Sequence, residues 1–320
     1  MSPIRSETIE LQHPGIKAIP RIGEQLTFLY VSWAKIVQDD TGVLALFEED
    51  EVLHRVAIPT ASLAAIMLGP GVSITQPALA TMTRHGTAIL WVGSDGSRAH
   101  GWAYALTSSS RWIEAQATMW ANPESRLDVA VRMYEKRFGG LPPGGEITLQ
   151  RLRGLEGQRI KRIYQGLASK HKIRFRRADY DPQDFQNADP INQALSSANA
   201  ALYGVAASAI AALGCHPGLG FVHSGTISAF VYDIADLYKV EVSIPAAFVA
   251  ASHSDPAGEA RRITRRMMVE RGILRRAVGD VQELLAPGLM SGPGGELTLL
   301  DDGGGTVAAG VNYSEGRKER

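Results

Sequence analysis

The stretch GFVHSGTISAFVYDIADLYK, from Gly220 to Lys239, sets one imidazole and two carboxylates in an otherwise apolar run. His223 stands between Val222 and a Ser-Gly pair. Asp233 and Asp236 lie one helical turn apart, so a helix here puts both on one face, with Phe230, Ile234 and Leu237 as the adjacent apolar stripe. One imidazole with carboxylates is a reasonable ligand set for Mn2+ or Mg2+, whose octahedral shell is completed by water or phosphate oxygens. Taken singly, each residue has a plainer role: Asp233 as a helix N-cap, His223 as a hydrogen-bonded core histidine.

A third carboxylate is available in RGLEGQRIKRIYQGLASK. On a helix Glu156 aligns with Ile160, Ile163 and Leu167 and points inward with them. A carboxylate in that position either protonates or finds a cation, and Arg159 and Arg162 are the nearest candidates. Gly154 and Gly157 flank it and would let a backbone or a ligand come close. In DPINQALSSANAALYGVAASAIAALG, Leu195, Asn199, Leu202, Ala206, Ile210 and Leu213 keep helical spacing, and Gly214 reads as the cap. Asn199, Tyr203 and Lys239 are candidate supports for the carboxylates, or equally ordinary polar groups of a core.

The surroundings of Glu156 are strongly basic. Arg151, Arg153, Arg159, Lys161, Arg162, Lys170, Lys172, Arg174, Arg176 and Arg177 follow one another with Glu156 as the only acid among them. A second basic segment, EARRITRRMMVERGILRR, carries Arg261, Arg262, Arg265 and Arg266 at helical spacing, which predicts one basic face. Lys plus Arg (33) nonetheless equals Asp plus Glu (33), because acids gather in FEEDE and in the C-terminal segment. Clustered cations are the footprint of phosphate binding, and a solvated helix surface is the plainer alternative. A metal set among cations is what phosphodiester chemistry uses.

These groups need elements to hold them. The 320 residues suffice for about two domains, and 45% apolar with 21% charged residues is a globular composition. From Leu26 to Tyr104 the pattern is of strands: LTFLYVSWAKIVQ, a DDTG turn, then VLALFEEDEVLHRVAI as two paired strands around an acidic loop. TQPALATMTRHG predicts a short helix capped at Thr75, and TAILWVGSDGSRAHGWAY returns to strand, turn, strand. RLDVAVRMYEKRFGG has helical period, and most segments from Thr148 to Leu285 read as helices. The expected fold class is α+β. A short extension (1–20) leads into a small β-rich domain (21–110), a larger all-helical catalytic domain (111–286) and a disordered Gly-rich tail (287–320).

Cys215 is the single cysteine, which suits a reducing compartment. The N-terminal MSPIRSETIELQ lacks the apolar core of a signal peptide, and the run Ala200 to Leu213 is short for a bilayer. A cytoplasmic protein without a membrane partner is expected.

LRGLEGQR, DPINQALSSANAALYG, GFVHSG and FVYDIADLYK, in this order, resemble the CRISPR-associated integrase of spacer acquisition, most closely its type I-E branch. The resemblance runs from about Arg21 to Leu285. It implies that Glu156, His223 and Asp236 bind a divalent metal, Mg2+ or Mn2+, with Asp233 as a second acidic catalytic position. It implies a homodimer that joins a small ferredoxin-like CRISPR subunit and holds double-stranded DNA, both prespacer and CRISPR repeat. In the implied reaction the 3′-hydroxyl of the short DNA attacks a phosphodiester at the repeat edge, a transesterification that needs no nucleotide cofactor. Gln25 stands where such proteins commonly carry a basic residue.

Arg159, Arg162, Lys172, Arg174, Arg261 and Arg265 are the expected phosphate contacts. Trp33 or Tyr30, in FLYVSWAKI, is expected to stack on a terminal base pair, or else to pack in the sheet. Strict alternation would place Trp33 with Leu29 and Val31. GELTLLDD, in the tail, is expected to add a short strand to the small subunit, or to be a spacer. Two other functions fit the same residues: a different metal-dependent repair nuclease, and a non-catalytic DNA-binding scaffold.

Overall fold

The computed structural model describes residues 16–18, 27–60, 63–104, 110–141, 147–175, 185–287, 298–300 and 306–308. The first part builds a sheet from β1 (Ile16–Ala18), β2 (Thr27–Asp39), β3 (Gly42–Glu49), β4 (Val52–Ala57), β5 (Leu63–Ile74), β6 (Ala88–Val92) and β7 (Ala99–Ala103). Strand order is β4-β3-β2-β5-β6-β7, with β1 also paired to β2. The expected DDTG turn joins β2 to β3, with Asp39 opposite Gly42. The acidic loop between β3 and β4 turns through Asp50 and Glu51, both at positive φ. The parallel pairings, β2 with β5 and β5 with β6, had no counterpart in the local patterns. The helix α1 (Gln76–Arg84) makes the crossover from β5 to β6, with Thr75 as its N-cap residue.

The sheet contains one irregularity that matters later. Val31 pairs with Leu68 and Ala34 with Val72, so β5 uses one more residue than β2 between these points. Gly69, Pro70 and Gly71 fill the extra step. Proline cannot donate to a ladder and is tolerated in a sheet at such a bulge. Leu29 and Val31 share a core cluster with Ala34 and Ile36, so the facing of side chains along β2 switches between them. Trp33 therefore points away from that cluster, which corrects the alternation expected from sequence.

The helical part comprises α2 (Arg111–Ala121), α3 (Pro123–Phe138), α4 (Leu149–His171), α5 (Pro190–Ala212), α6 (Ala229–Asp236), α7 (Ser243–Ala250), α8 (Pro256–Glu270) and α9 (Ile273–Leu285). Caps set several of these ends. Asn122 accepts from Glu124 and Ser125 at the start of α3, Thr148 from Arg151 at α4, and Asp189 from Asn192 at α5. Gly139, at φ +73, ends α3 as the RFGG pattern predicts. By length and composition α5 could cross a bilayer, beyond what its apolar run suggested, but most of it is buried among its neighbours.

One face of the sheet packs on α1, through Ala78 and Met82 against Ile36, Ile66 and Leu68. The other face, through Phe28, Met67 and Leu90, shares a continuous core with Met133, Leu202, Ile210, Phe230 and Val281 of the helical part. Each such large apolar side chain contributes about 1.5–3 kcal/mol on burial. Gly204 permits the closest approach: a Cβ there would run into the carbonyl of Gly96 in the β6–β7 connection. In the tail, β8 (Thr298–Leu300) falls on the strand patch expected from sequence, but it pairs with β9 (Thr306–Ala308) of the same chain. The remainder of the tail, and most of the extension at 1–20, lie outside the described residues.

Candidate active site

The loop between α5 and α6 carries His223, and it is tied down from several sides. Gly214, at φ +70, turns the chain out of α5. Buried Gln116 of α2 donates to the carbonyls of His216 and Leu219 and accepts from the His216 amide. Trp120 and Arg126 both donate to the Gly220 carbonyl. Asp233 completes the clamp. Its carboxylate accepts from the amides of Phe221, Val222 and His223 at 2.6, 3.0 and 2.9 Å. It also lies 2.7 Å from His223 Nδ1.

This side chain is 0% exposed, so a buried charge is matched by a nest of three backbone N–H groups. A carboxylate accepts, hence Nδ1 donates to Asp233 and Nε2 is turned away from it. Carboxylate–histidine pairs of this kind orient an imidazole for a metal or a proton transfer. Asp233 does not touch the open side of the site. It is a positioning residue, in keeping with the supporting acidic position the resemblance implies, and it lies within α6 rather than at its N-cap.

His223 Nε2 faces Asp236 Oδ2 at 4.0 Å. Two cations hold Asp236. Arg137 Nη2, on a side chain 3% exposed, lies 3.5 Å from Oδ2, and Lys239 Nζ lies 2.6 Å from Oδ1. Burial alone would push the Lys239 ammonium down, but the Asp236 carboxylate and the Tyr203 hydroxyl outweigh it and hold the group protonated above its ordinary range. Lys239 is thus the close partner of this buried oxygen. Tyr232 sits edge-on to the imidazole, and Tyr203 edge-on to Tyr232.

Glu156 arrives on α4. Ile160, Ile163 and Leu167 pack inward as the stripe predicted, against the cluster built by α5, α7 and α8. One turn before Glu156, Arg153 donates to the Val222 carbonyl at 3.0 Å, which docks α4 beside the His223 loop. Burial pushes the Tyr134 hydroxyl up; Arg137 and Arg153 pull it down, and Glu156 adds to the rise. Tyr134 thus lies among groups from both halves of the site. The Glu156 carboxylate itself is held by Arg159, Nε to Oε2 at 2.8 Å and Nη2 to Oε1 at 3.1 Å. Of the two cations expected as its partner, the structure selects Arg159. Gly154 and Gly157 have open space around them, so among the described residues no group uses the room they leave.

The structure therefore brings His223, Asp233 and Asp236 together, with Lys239 and Tyr203 beside them. Asn199 accepts from Ser243, whose hydroxyl also reaches the Lys239 carbonyl. As the side chains stand, no group of three His, Cys, Asp or Glu among the described residues is closed into a ligand set. The donor types nevertheless suit a hard divalent cation: the Nε2 of His223 turned toward Asp236, the Asp236 carboxylate, and the Glu156 carboxylate on the neighbouring helix α4. Arg137, Arg153 and Gln116 were not singled out from sequence. Arg137 lay in the RMYEKRFGG helix, where a cation at helical spacing from Tyr134 was the only available signal.

The expected phosphate contacts divide. Arg162, Lys172 and Arg174 are exposed. Arg159 is engaged by Glu156. Arg261 and Arg265 are only half-exposed, and the Arg265 guanidinium lies over the Tyr30 ring at 5.6 Å. The basic face expected on α8 is thus partly used within the chain, with Arg262 paired to Glu259 as well. Tyr30 packs into the core against this Arg, whereas Trp33 is 73% exposed. Gln25, Arg176 and Arg177 lie outside the described residues.

Comparison with known proteins agrees with this arrangement. Residues 145–249, which span Glu156, His223 and Asp236, match the family model described as CRISPR associated protein Cas1. A curated relative from Clostridium sp. (strain SY8519), named CRISPR-associated endonuclease Cas1, is 38% identical over 92% of this chain and 98% of its own. One from Thermus thermophilus, named CRISPR-associated endonuclease Cas1 2, is 35% identical over 84% of this chain and 82% of its own. Among solved structures, a TtCas1–DNA complex superposes with a TM-score of 0.72 at 34% identity, covering 84% of this chain and 99% of the other. The chain belongs to the CRISPR-associated Cas1 family.

Proposed function

We propose that this protein is a metal-dependent DNA endonuclease and integrase of CRISPR spacer acquisition, of the type I-E branch, working in the cytoplasm. The observation that carries the reading is His223: Asp233 fixes its proton on Nδ1 and leaves Nε2 facing Asp236 in a part of the chain that matches the family model. The endonuclease names of its relatives and the DNA in a structural neighbour support nucleic acid as the substrate.

Glu156, His223 and Asp236 would hold Mg2+ or Mn2+, which when bound supplies a Lewis acid for the phosphoryl oxygen. The chain's own groups do the rest. Asp233 keeps the imidazole in one tautomer and one orientation. Arg137 and Lys239 hold the Asp236 carboxylate in place. Arg162, Lys172 and Arg174 grip phosphates, which fixes the duplex without reading its sequence. The exposed Trp33 ring gives a terminal base pair a face to stack on, worth about 1–3 kcal/mol. The 3′-hydroxyl of the short DNA attacks a phosphodiester of the repeat, so one ester forms as another breaks. A homodimer with a small ferredoxin-like subunit would present two such sites to one duplex.

The test is incubation of the purified protein and its small subunit with a short duplex, a supercoiled repeat plasmid and Mn2+. The reading expects the short duplex to become covalently joined at the repeat edge. A plasmid that is only nicked, with no joined product, indicates a repair nuclease. DNA binding without either product indicates a scaffold.

A further inference from the structure

Arg159 covers Glu156 in a way the other site cations do not cover their carboxylate. Its planar fork occupies both oxygens, and its guanidinium also lies 5.6 Å from the Phe138 ring centroid. A carboxylate gripped in this way must give up part of its arginine before a metal can draw on the same lone pairs. Arg137, by contrast, reaches Asp236 from the interior, stacked on Tyr134 and aimed also at the Asp233 carbonyl. Arg159 has a side chain 28% exposed and sits one helical turn from its partner. The same helix leaves open space at Gly154 and Gly157 and exposes Arg162. The pair is partly buried, with the Glu156 side chain 15% exposed, and it is held by a single side-chain cation that reaches solvent. A phosphate offers the guanidinium the same bidentate geometry.

We propose that Arg159 is a DNA-operated gate on Glu156. Without DNA it occupies the carboxylate and leaves a divalent cation weakly held. A phosphate seated on α4 draws the guanidinium away and frees Glu156 to complete the ligand set. The inference rests on the metal reading above and adds an order of events to it: the site is armed by its substrate. Linkage makes the effect reciprocal, so DNA tightens metal binding by the same factor as metal tightens DNA binding.

The test is a Mn2+ titration of the full chain, followed by electron paramagnetic resonance of the free ion, with and without a short duplex. The wild-type Kd for Mn2+ is expected to fall about tenfold when the duplex is added. Arg159→Gln and Arg159→Lys are both expected to bind Mn2+ without DNA as tightly as the wild type does with it. The Lys variant separates gating from simple repulsion, since it keeps the charge but cannot cover both oxygens. Thermal melting of each variant checks that the fold is retained. A wild-type Kd unmoved by the duplex, or an Arg159→Lys protein as weak as the DNA-free wild type, overturns the gate. Glu156→Gln tells the two failures apart. If it leaves Mn2+ binding by the DNA-loaded protein intact, the metal reading itself falls and the gate with it. If it weakens binding while the Arg159 variants behave as wild type, the gate alone falls.

Discussion

Asp233 and Glu156 are carboxylates in helices of one site, and they are satisfied in opposite ways. Asp233 is fully buried and takes three backbone amides and an imidazole. Glu156 is half-buried and takes one arginine from its own helix. Backbone amides cannot swing away, so the first carboxylate is scaffold. A side-chain cation can leave, so the second is available to a ligand. Burial and donor type, more than residue type, separate a carboxylate locked into the scaffold from one that a ligand can reach.

Substitutions should divide along the same line. Asp233→Ala removes the acceptor for three buried N–H groups, and a loss of about 3–5 kcal/mol in denaturant unfolding is expected. If the loss is below about 1 kcal/mol, Asp233 is not scaffold and the contrast collapses. Gln116→Leu deletes the clamp on the same loop, which leaves two carbonyls and an amide without partners; about 1–3 kcal/mol should be lost by the same measurement. Glu156→Gln should shift stability by no more than about 1 kcal/mol, as expected for one half-exposed pair. The same variant should abolish DNA joining, a split between folding and function that Asp233→Ala cannot show.

The smallest effect concerns another movable pair. The Arg276 hydrogen bonds, then the Arg276 charge and Arg271, hold the Glu241 carboxyl below its usual range. Its folded-state pKa is depressed, so the associated stability is present above the unfolded value, about 4.3, and fades as pH falls through the folded value. Glu241→Gln should therefore flatten the acid limb of a stability profile recorded below about pH 5. An unchanged acid limb would mean that this pair does not contribute.

Local patterns went far here. The turn at Asp39–Gly42, the start of α1 after Thr75 (whose side chain makes no capping bond), the Gly139 stop and the inward stripe of α4 are consequences of neighbouring residues and were legible as such. His223, Asp233 and Asp236 lie within one short motif, so their meeting was legible too. The parallel partners of β5 were not, because the choice between distant strands leaves no periodic trace. Arg137, Arg153 and Gln116 escaped for a related reason: each reaches a backbone carbonyl of a remote segment, and a carbonyl has no residue identity. The basic face of α8 was over-read, since an aromatic ring or a carboxylate within the chain can take up a cation as readily as a phosphate does.

The bulge at Gly69–Gly71 has an optical consequence. Trp33 pairs across the ladder with Gly71, and a Cβ on Gly71 would collide with its ring, so the indole lies over bare backbone while 73% exposed. The other tryptophans are more shielded: Trp112 at 9%, Trp120 at 36%, Trp91 at 37%, and Trp102 partly buried against the core. The red edge of the intrinsic emission spectrum therefore belongs mainly to Trp33. Quenching of that edge by acrylamide, and protection from it when a base pair stacks on the ring, would report occupancy of the strand face without any label.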